Sequence, residues 1–325
     1  MSTLHFLNVR EGDCSIIQHN SDRVTVVDIN NARIETVIES IVREAVEKAF
    51  IRTMGANLGQ KAYPVNPIEY IKRLGVQSVF RFILTHPDMD HMDGIEDLFK
   101  IFDPPNFWDT KNTCDKDSQS WEGSRFRRSD WLFYKRLQAS DQSPKRLTYL
   151  SGQQPQKYWD EDGLMILAPT QALLDAANDC GEWNDASYVL LYRTNGYKVI
   201  LAGDSHDATW QHILDDHYAL VENVDLLLAP HHGRHSDRDF AFLDVLRPRL
   251  TLFGNASSEH LAYQAWNSRD LRLVTNNQAG SIVVDLSDEH GPWFVTNEVF
   301  ARQRLGSSTF YDETRHAWLA GFLRI

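Results

Sequence analysis

The sequence predicts an α/β fold with its functional groups on loops at strand ends, and three stretches predict it. The apolar run Val79–Leu84 reads as a buried strand, and after Thr85 it gives way to His86-Pro87-Asp88-Met89-Asp90-His91. Two later runs, 197–202 and 224–229, end in Gly203-Asp204-Ser205 and in Pro230-His231-His232-Gly233. Helical patterns follow over residues 95–102, 209–220 and 237–246. Strands that alternate with helices build sheets that meet ligands at their carboxyl ends.

Taken in order, Leu4 to Val9 alternates, Glu11-Gly12-Asp13 makes a turn, and 14–18 and 24–28 follow as strands. From Asn31 to Phe50 an apolar stripe (Ile34, Val37, Ile38, Ile41, Val42, Ala45) predicts the strongest helix of the chain, packed on the body. Residues 67–74 make a shorter helix, and Pro104-Pro105 stops the one that begins at Ile95. Between 106 and 160, aromatics (Trp121, Phe126, Trp131, Phe133, Tyr134) interleave with Arg125, Arg127, Arg128, Lys135, Arg136, Lys145 and Arg146. A solvated helix with an aromatic core face is the preferred reading there; a groove for single-stranded nucleic acid is the other. Strand patterns return at 164–168, 187–192 and 197–202, the last two joined by an Asn195-Gly196 hairpin. Short runs at 250–253, 271–274 and 281–286 are expected to complete a second sheet. The last forty residues are expected to pack on the body or to contact a second copy or a partner protein.

With 325 residues, 42% hydrophobic and 24% charged, the chain has the composition of a soluble globular protein. No apolar stretch approaches a membrane span, and the start lacks a basic segment leading into an apolar one, so no membrane association and a cytoplasmic location are expected. Cys14, Cys114 and Cys180 are far apart and odd in number, which gives no disulfide framework and no paired-cysteine metal site. The net charge of −12 argues against a general nucleic-acid surface. Any phosphate must be met by bound cations or a local basic patch.

The chemistry concentrates at residues 86–91. Imidazole and carboxylate on one tight loop suit zinc, iron or manganese. An acidic turn capping the next helix through Asp90 or Asp93 would explain neither histidine. His86-Pro-Asp-Met-Asp-His91-Met-Asp-Gly94 resembles the HxHxDHxxG signature of the metallo-β-lactamase superfamily, with Asp88 in the place of the second histidine. In that variant, and in the opening Asn8 to Ile17 followed by Val26 to Asn30, it is similar to the metallo-hydrolase domain of ComEC-type competence nucleases.

The resemblance implies a four-layer αββα sandwich with inserted helices, spanning 1–286 in two halves of about 1–160 and 161–286. Insertions would fall at about 32–66 and 104–160, and 287–325 would be a C-terminal extension. It also implies two divalent ions, manganese or zinc, with magnesium also fitting. His86, Asp88 and Asp204 would hold one ion. Asp90, His91, Asp204 and one of His231 and His232 would hold the other, with His231 favoured and His232 left as a supporting or acid group. Asp13 and Asp28 would sit beside the loop; a strand-end carboxylate such as Asp28 can fix a ligand's tautomer. Asp13 reads equally well as a turn cap.

One departure stands out. The superfamily supplies a further histidine before the bridging aspartate, whereas this chain has none from Met92 to Ser205. Asn184, Asp185 and Ser187 occupy the corresponding stretch, and the first site becomes oxygen-rich, which favours harder ions. The expected activity is hydrolysis of a phosphodiester in a nucleic acid or nucleotide by water activated on the metal pair. Asp90 and Asp204 would orient that water, His232, His235 and His260 are acid candidates, and Arg234 or Arg238 would meet phosphate oxygens. Hydrolysis of another ester, a lactone, a thioester, a β-lactam or a phosphocholine substrate is the alternative, and a non-catalytic binding protein is the third reading.

Overall fold

Adjacent residues in the strands face different layers, and that alternation builds the molecule. The computed structural model describes residues 1–36, 38, 39, 41, 42, 45, 59–153, 157–236 and 238–324. In chain order the strands are β1 (Thr3–Phe6), β2 (Ser15–Gln18), β3 (Val24–Val27), β4 (Arg81–Ile83), β5 (Asn106–Trp108), β6 (Lys145–Leu147), β7 (Leu164–Ala168) and β8 (Val189–Thr194). They continue as β9 (Tyr197–Leu201), β10 (Leu226–Leu228), β11 (Leu250–Phe253), β12 (Leu273–Thr275), β13 (Ile282–Asp285), β14 (Pro292–Val295), β15 (Tyr311–Asp312) and β16 (Ala317–Phe322). One sheet runs β15-β16-β14-β13-β1-β2-β3-β4-β5-β6, the other β12-β11-β10-β9-β8-β7.

Val27, Ile83, Leu190, Leu201 and Leu228 point between the sheets and form one core. Their neighbours Val26 and Phe82 point outward from the first sheet, and Leu191, Ile200 and Leu227 outward from the second. Strands buried on both faces need cover on both. Helices Pro67–Arg73, Ile95–Phe102 and Arg128–Gln138 cover the first sheet through Ile71, Leu98, Trp131 and Tyr134. Helices Asp207–Val221, Phe242–Leu246 and Tyr263–Asn267 cover the second through Trp210, Ile213, Phe242 and Trp266. The result is the expected α/β sandwich of two facing sheets with helices outside. Among the described residues no helix is long and apolar enough to cross a membrane.

Several expectations are corrected. The run 281–286 does not enter the second sheet: β13 pairs antiparallel with β1, Ile282 opposite Phe6. The last forty residues, in keeping with the first of their two expected placements, pack on the body: they add β14, β16 and β15 to that same edge, and Trp293 and Val295 join the core between the sheets. Within 104–160, β5 and β6 extend the first sheet in parallel beyond β4. The helix expected from Asn31 begins later. Residues 31–36 are not helical, and Thr36 and Glu39 cap each other, Glu39 Oε2 accepting from Thr36 N at 2.8 Å and Thr36 Oγ1 from Glu39 N at 3.3 Å. Ile34, Ile38, Ile41 and Val42 are exposed rather than packed. The rest of that helix falls mostly outside the described residues.

The basic, aromatic segment is core and ion pairs. Trp131 and Tyr134 are buried, while Arg125 pairs with Glu11, Arg127 with Asp97 and Asp130, Arg136 with Glu96, and Arg146 with Asp109. The preferred reading of that segment, an aromatic core face with solvated charges, matches this arrangement.

Candidate metal centre

Three strand ends are stitched together by backbone hydrogen bonds. Tyr188 N, just before β8, donates to Thr85 O after β4 at 2.9 Å, and His231 N after β10 to Gly203 O after β9 at 2.9 Å. Gly203 packs so closely on Thr85 and Tyr188 that a Cβ there would lie 3.0 Å from Thr85 Cβ. The metal loop also leans on the segment after β3. Ile29 N donates to His91 O and Ala32 N to Asp93 O, at 3.0 and 3.1 Å. Asn30 Nδ2 bridges Glu11 O and Asp90 O at 3.0 and 2.9 Å.

Each of three histidines is oriented through Nδ1. His91 Nδ1 lies 2.8 Å from Asp28 Oδ2, and His232 Nδ1 lies 3.0 Å from Asp13 Oδ1. His86 Nδ1 lies 3.1 Å from Thr85 Oγ1, whose own proton goes to Asp28 Oδ2 at 2.7 Å. A carboxylate only accepts, and so does a hydroxyl whose proton is committed, so Nδ1 carries a hydrogen and each ring, when neutral, has its lone pair on Nε2. The three Nε2 atoms and Asp204 Oδ1 are buried and have no hydrogen-bond partner. They share one volume: Asp204 Oδ1 is 3.4 Å from His91 Nε2, and Asp204 Oδ2 is 3.8 and 3.7 Å from His86 and His232 Nε2. Asp90 Oδ2 is 3.7 Å from His232 Nε2. Unpartnered buried donors of mixed nitrogen and oxygen type fit divalent cations. Among the described residues, His86-His91-Asp204, Asp90-His91-His232 and Asp13-Asp204-His232 each lie close enough to hold one.

His231, the favoured ligand of the pair, is placed differently. Both histidines have left-handed backbone, with φ of 51° and 59°, and His232 is the one turned inward. Arg238 Nη2 lies 3.1 Å from His231 Nδ1. A guanidinium can only donate, so His231 Nδ1 accepts and the ring hydrogen moves to Nε2, the atom 3.6 Å from Asp204 Oδ2. Among the described residues, His232 belongs to the groups close enough to hold an ion, and His231 lies beside them.

Electrostatics agree. Burial opposes charge on His232, but Asp13 and Asp204 beside it push its pKa up to about 10. Burial likewise opposes charge on His91, yet Asp204 and Asp28 raise it well above the ordinary value. Burial would raise the Asp204 carboxyl, but His232, His91 and His86 hold it well below the carboxylate range. The carboxylates thus draw positive charge into the cluster, which protons on His91 and His232 supply and bound divalent cations would supply in their place.

The remaining candidates divide. Ser187 is buried and accepts from Asp204 N at 3.2 Å. Asp185 faces His206 instead, its Oδ1 3.2 Å from His206 Nδ1, and Asn184 is half-buried, with its carbonyl accepting from Ser187 N. Arg238 is a scaffold group, buried and donating to Asp204 O at 2.9 Å. Arg234 is half-buried; His235 is exposed and donates through its backbone to His260 O, and the His260 side chain is 61% exposed. Asp88 Oδ2 lies 3.6 Å from His86 Nε2, and its Oδ1 accepts from Lys116 at 3.0 Å. Sequence reasoning missed Lys116, which lies in a stretch with no periodic or motif signal.

Solved structures similar to this chain include a metallo-β-lactamase. That protein, a mutant from Cronobacter sakazakii, is 13% identical over 74% of this chain and 79% of its own, with a TM-score of 0.33. A diphosphatase of the PhnP family is 12% identical over 86% of this chain and 97% of its own, with a TM-score of 0.43. A mutant of the β-hydroxylase CmlA is 11% identical over 88% of this chain and 54% of its own, with a TM-score of 0.48. No family model matches the chain, and no curated protein does. The two-sheet, helix-covered architecture is similar to that of these neighbours.

Proposed function

We propose that the chain is a metal-dependent hydrolase acting on a phosphodiester of a nucleic acid or nucleotide. The observation that carries the reading is the convergence of His86, His91 and His232 Nε2 with Asp204 Oδ1, all buried and all without partners. Divalent ions there would lower the pKa of a water and neutralise charge developing on phosphoryl oxygens. Asp13 and Asp28 hold His232 and His91 in the tautomer that presents Nε2. Asp204, buried at the middle of the cluster, reaches all three rings. The Asp90 side chain is 26% exposed, with Oδ2 3.7 Å from His232 Nε2, and would orient the attacking water.

The donor set supports a phosphodiester as the substrate. Asp88, Asp90 and Asp204 make the centre rich in oxygen, and oxygen ligands suit the harder ions used for phosphoryl chemistry. The paired arginines of 125–146 leave phosphate recognition to the centre itself. The test is turnover of bis-p-nitrophenyl phosphate, single-stranded DNA and a chromogenic cephalosporin by metal-stripped protein given back manganese, magnesium or zinc. Diester hydrolysis is expected; cephalosporin turnover without it would move the protein to the other ester and lactam substrates.

A further inference from the structure

Asp88 is the most exposed of the donor side chains, at 38%, against 26% for Asp90 and 4% or less for His86, His91, Asp204 and His232. The open side of the centre therefore lies at Asp88, and a cation stands there. Lys116 Nζ donates to Asp88 Oδ1 at 3.0 Å, with its side chain 19% exposed.

The lysine is held in place from both flanks. Cys114 is buried, and Asp117 Oδ1 accepts from Nε1 of the buried Trp131 at 2.7 Å. Lys116 O accepts from Gln119 N at 3.1 Å, closing the turn. An ammonium has three donors, and Asp88 engages one. A fixed, partly desolvated ammonium beside a metal-type cluster is suited to an anionic oxygen. It also answers a difficulty of this chain, whose net charge of −12 repels a phosphate from a distance.

We propose that Lys116 is a specificity residue: its ammonium binds a non-bridging oxygen of the substrate at the open side of the centre and selects phosphate-bearing substrates. The inference rests on the hydrolase reading above. The bland alternative is that Lys116 only neutralises Asp88 and keeps the metal loop in shape.

The test uses the full chain loaded with manganese, as wild type, Lys116→Ala and Lys116→Arg. Inorganic phosphate is titrated calorimetrically, metal content is measured on the same samples, and KM and kcat are taken with bis-p-nitrophenyl phosphate. Loss of one charge-assisted hydrogen bond is expected to weaken phosphate binding about tenfold in Lys116→Ala. Lys116→Arg should regain much of it, metal content should hold, and KM should rise more than kcat falls. Equal phosphate affinity in wild type and Lys116→Ala overturns the proposal. So does metal loss in Lys116→Ala in step with phosphate affinity, because the lysine would then act by holding Asp88. If the wild type shows no diester turnover while phosphate binding still falls in Lys116→Ala, the phosphodiesterase reading fails and the phosphate clamp stands.

Discussion

His91 and His232 reach the same state by separate routes. One is held by Asp28 after β3 and the other by Asp13 in the turn after β1, and both present Nε2 to Asp204. Asp88 is the residue that sets this centre apart, since the resemblance places a histidine there. A carboxylate in that position, with no histidine supplied between Met92 and Ser205, leaves fewer nitrogen donors, and such a site selects zinc less strongly. We expect the wild type to turn over a phosphodiester best with manganese and Asp88→His to shift the preference toward zinc. Turnover by metal-stripped protein across both ions checks this. A wild type that prefers zinc, or a variant whose preference does not move, would contradict the oxygen-donor account. The donors of this loop were legible because metal binding needs particular residue types at close spacing. Which of His231 and His232 turns inward was not, because it depends on backbone φ and on Arg238, further along the chain.

At the level of elements, the metal loop is shaped by the segment it leans on. Gly94, with φ of 101°, begins the helix Ile95–Phe102, and a Cβ there would lie 1.7 Å from Ala32 O. No side chain fits without parting the loop from residues 29–32. Gly94→Ala is therefore expected to lower stability by about 1–3 kcal/mol and to weaken metal retention as well. Urea unfolding and metal content, measured together, check it; a variant with wild-type values in both would show that the close approach does not fix the loop. The helix expected from Asn31 teaches the complementary lesson. Its stripe was readable, but so was the Thr36-x-x-Glu39 cap that starts it later than Asn31. The stripe gave the period and the cap gave the boundary. Neither gave a partner, and Ile38 and Ile41 remain exposed.

Across the whole molecule, the partner sheet of a short strand is the feature the sequence hides most. Runs of three to five apolar residues look alike whether they enter one sheet or the other, so β13 was placed on the wrong one and β5 and β6 were missed. Among the links that join the sheets beyond their shared apolar core is a buried ion pair. Arg81 on β4 donates to Asp162 Oδ2 at 2.6 Å, and Arg23 donates to the same carboxylate, which sits just before β7. Asp162→Ala takes the carboxylate from the buried Arg81 and is expected to cost about 3–5 kcal/mol at pH 7. Burial would raise the Asp162 carboxyl, but Arg23, Ser21 and Arg81 hold it below the ordinary value. Its contribution is thus present above the unfolded pKa of about 4 and is lost as pH falls through the folded one. The gap between wild type and variant in urea unfolding should therefore narrow in acid; a gap that widens there would contradict the assignment.

The proposed chemistry depends on the cluster around Asp204 being a metal centre. The direct measurement is the metal-to-protein ratio, by plasma mass spectrometry, of wild type and Asp204→Ala after loading with manganese or zinc and desalting, with circular dichroism to confirm the fold. The wild type should retain about two ions per chain, and Asp204→Ala should lose at least one with its fold intact, because one carboxylate oxygen or the other reaches every ring nitrogen of the cluster. A wild type that keeps no metal, or a folded Asp204→Ala that keeps all of it, would contradict the account.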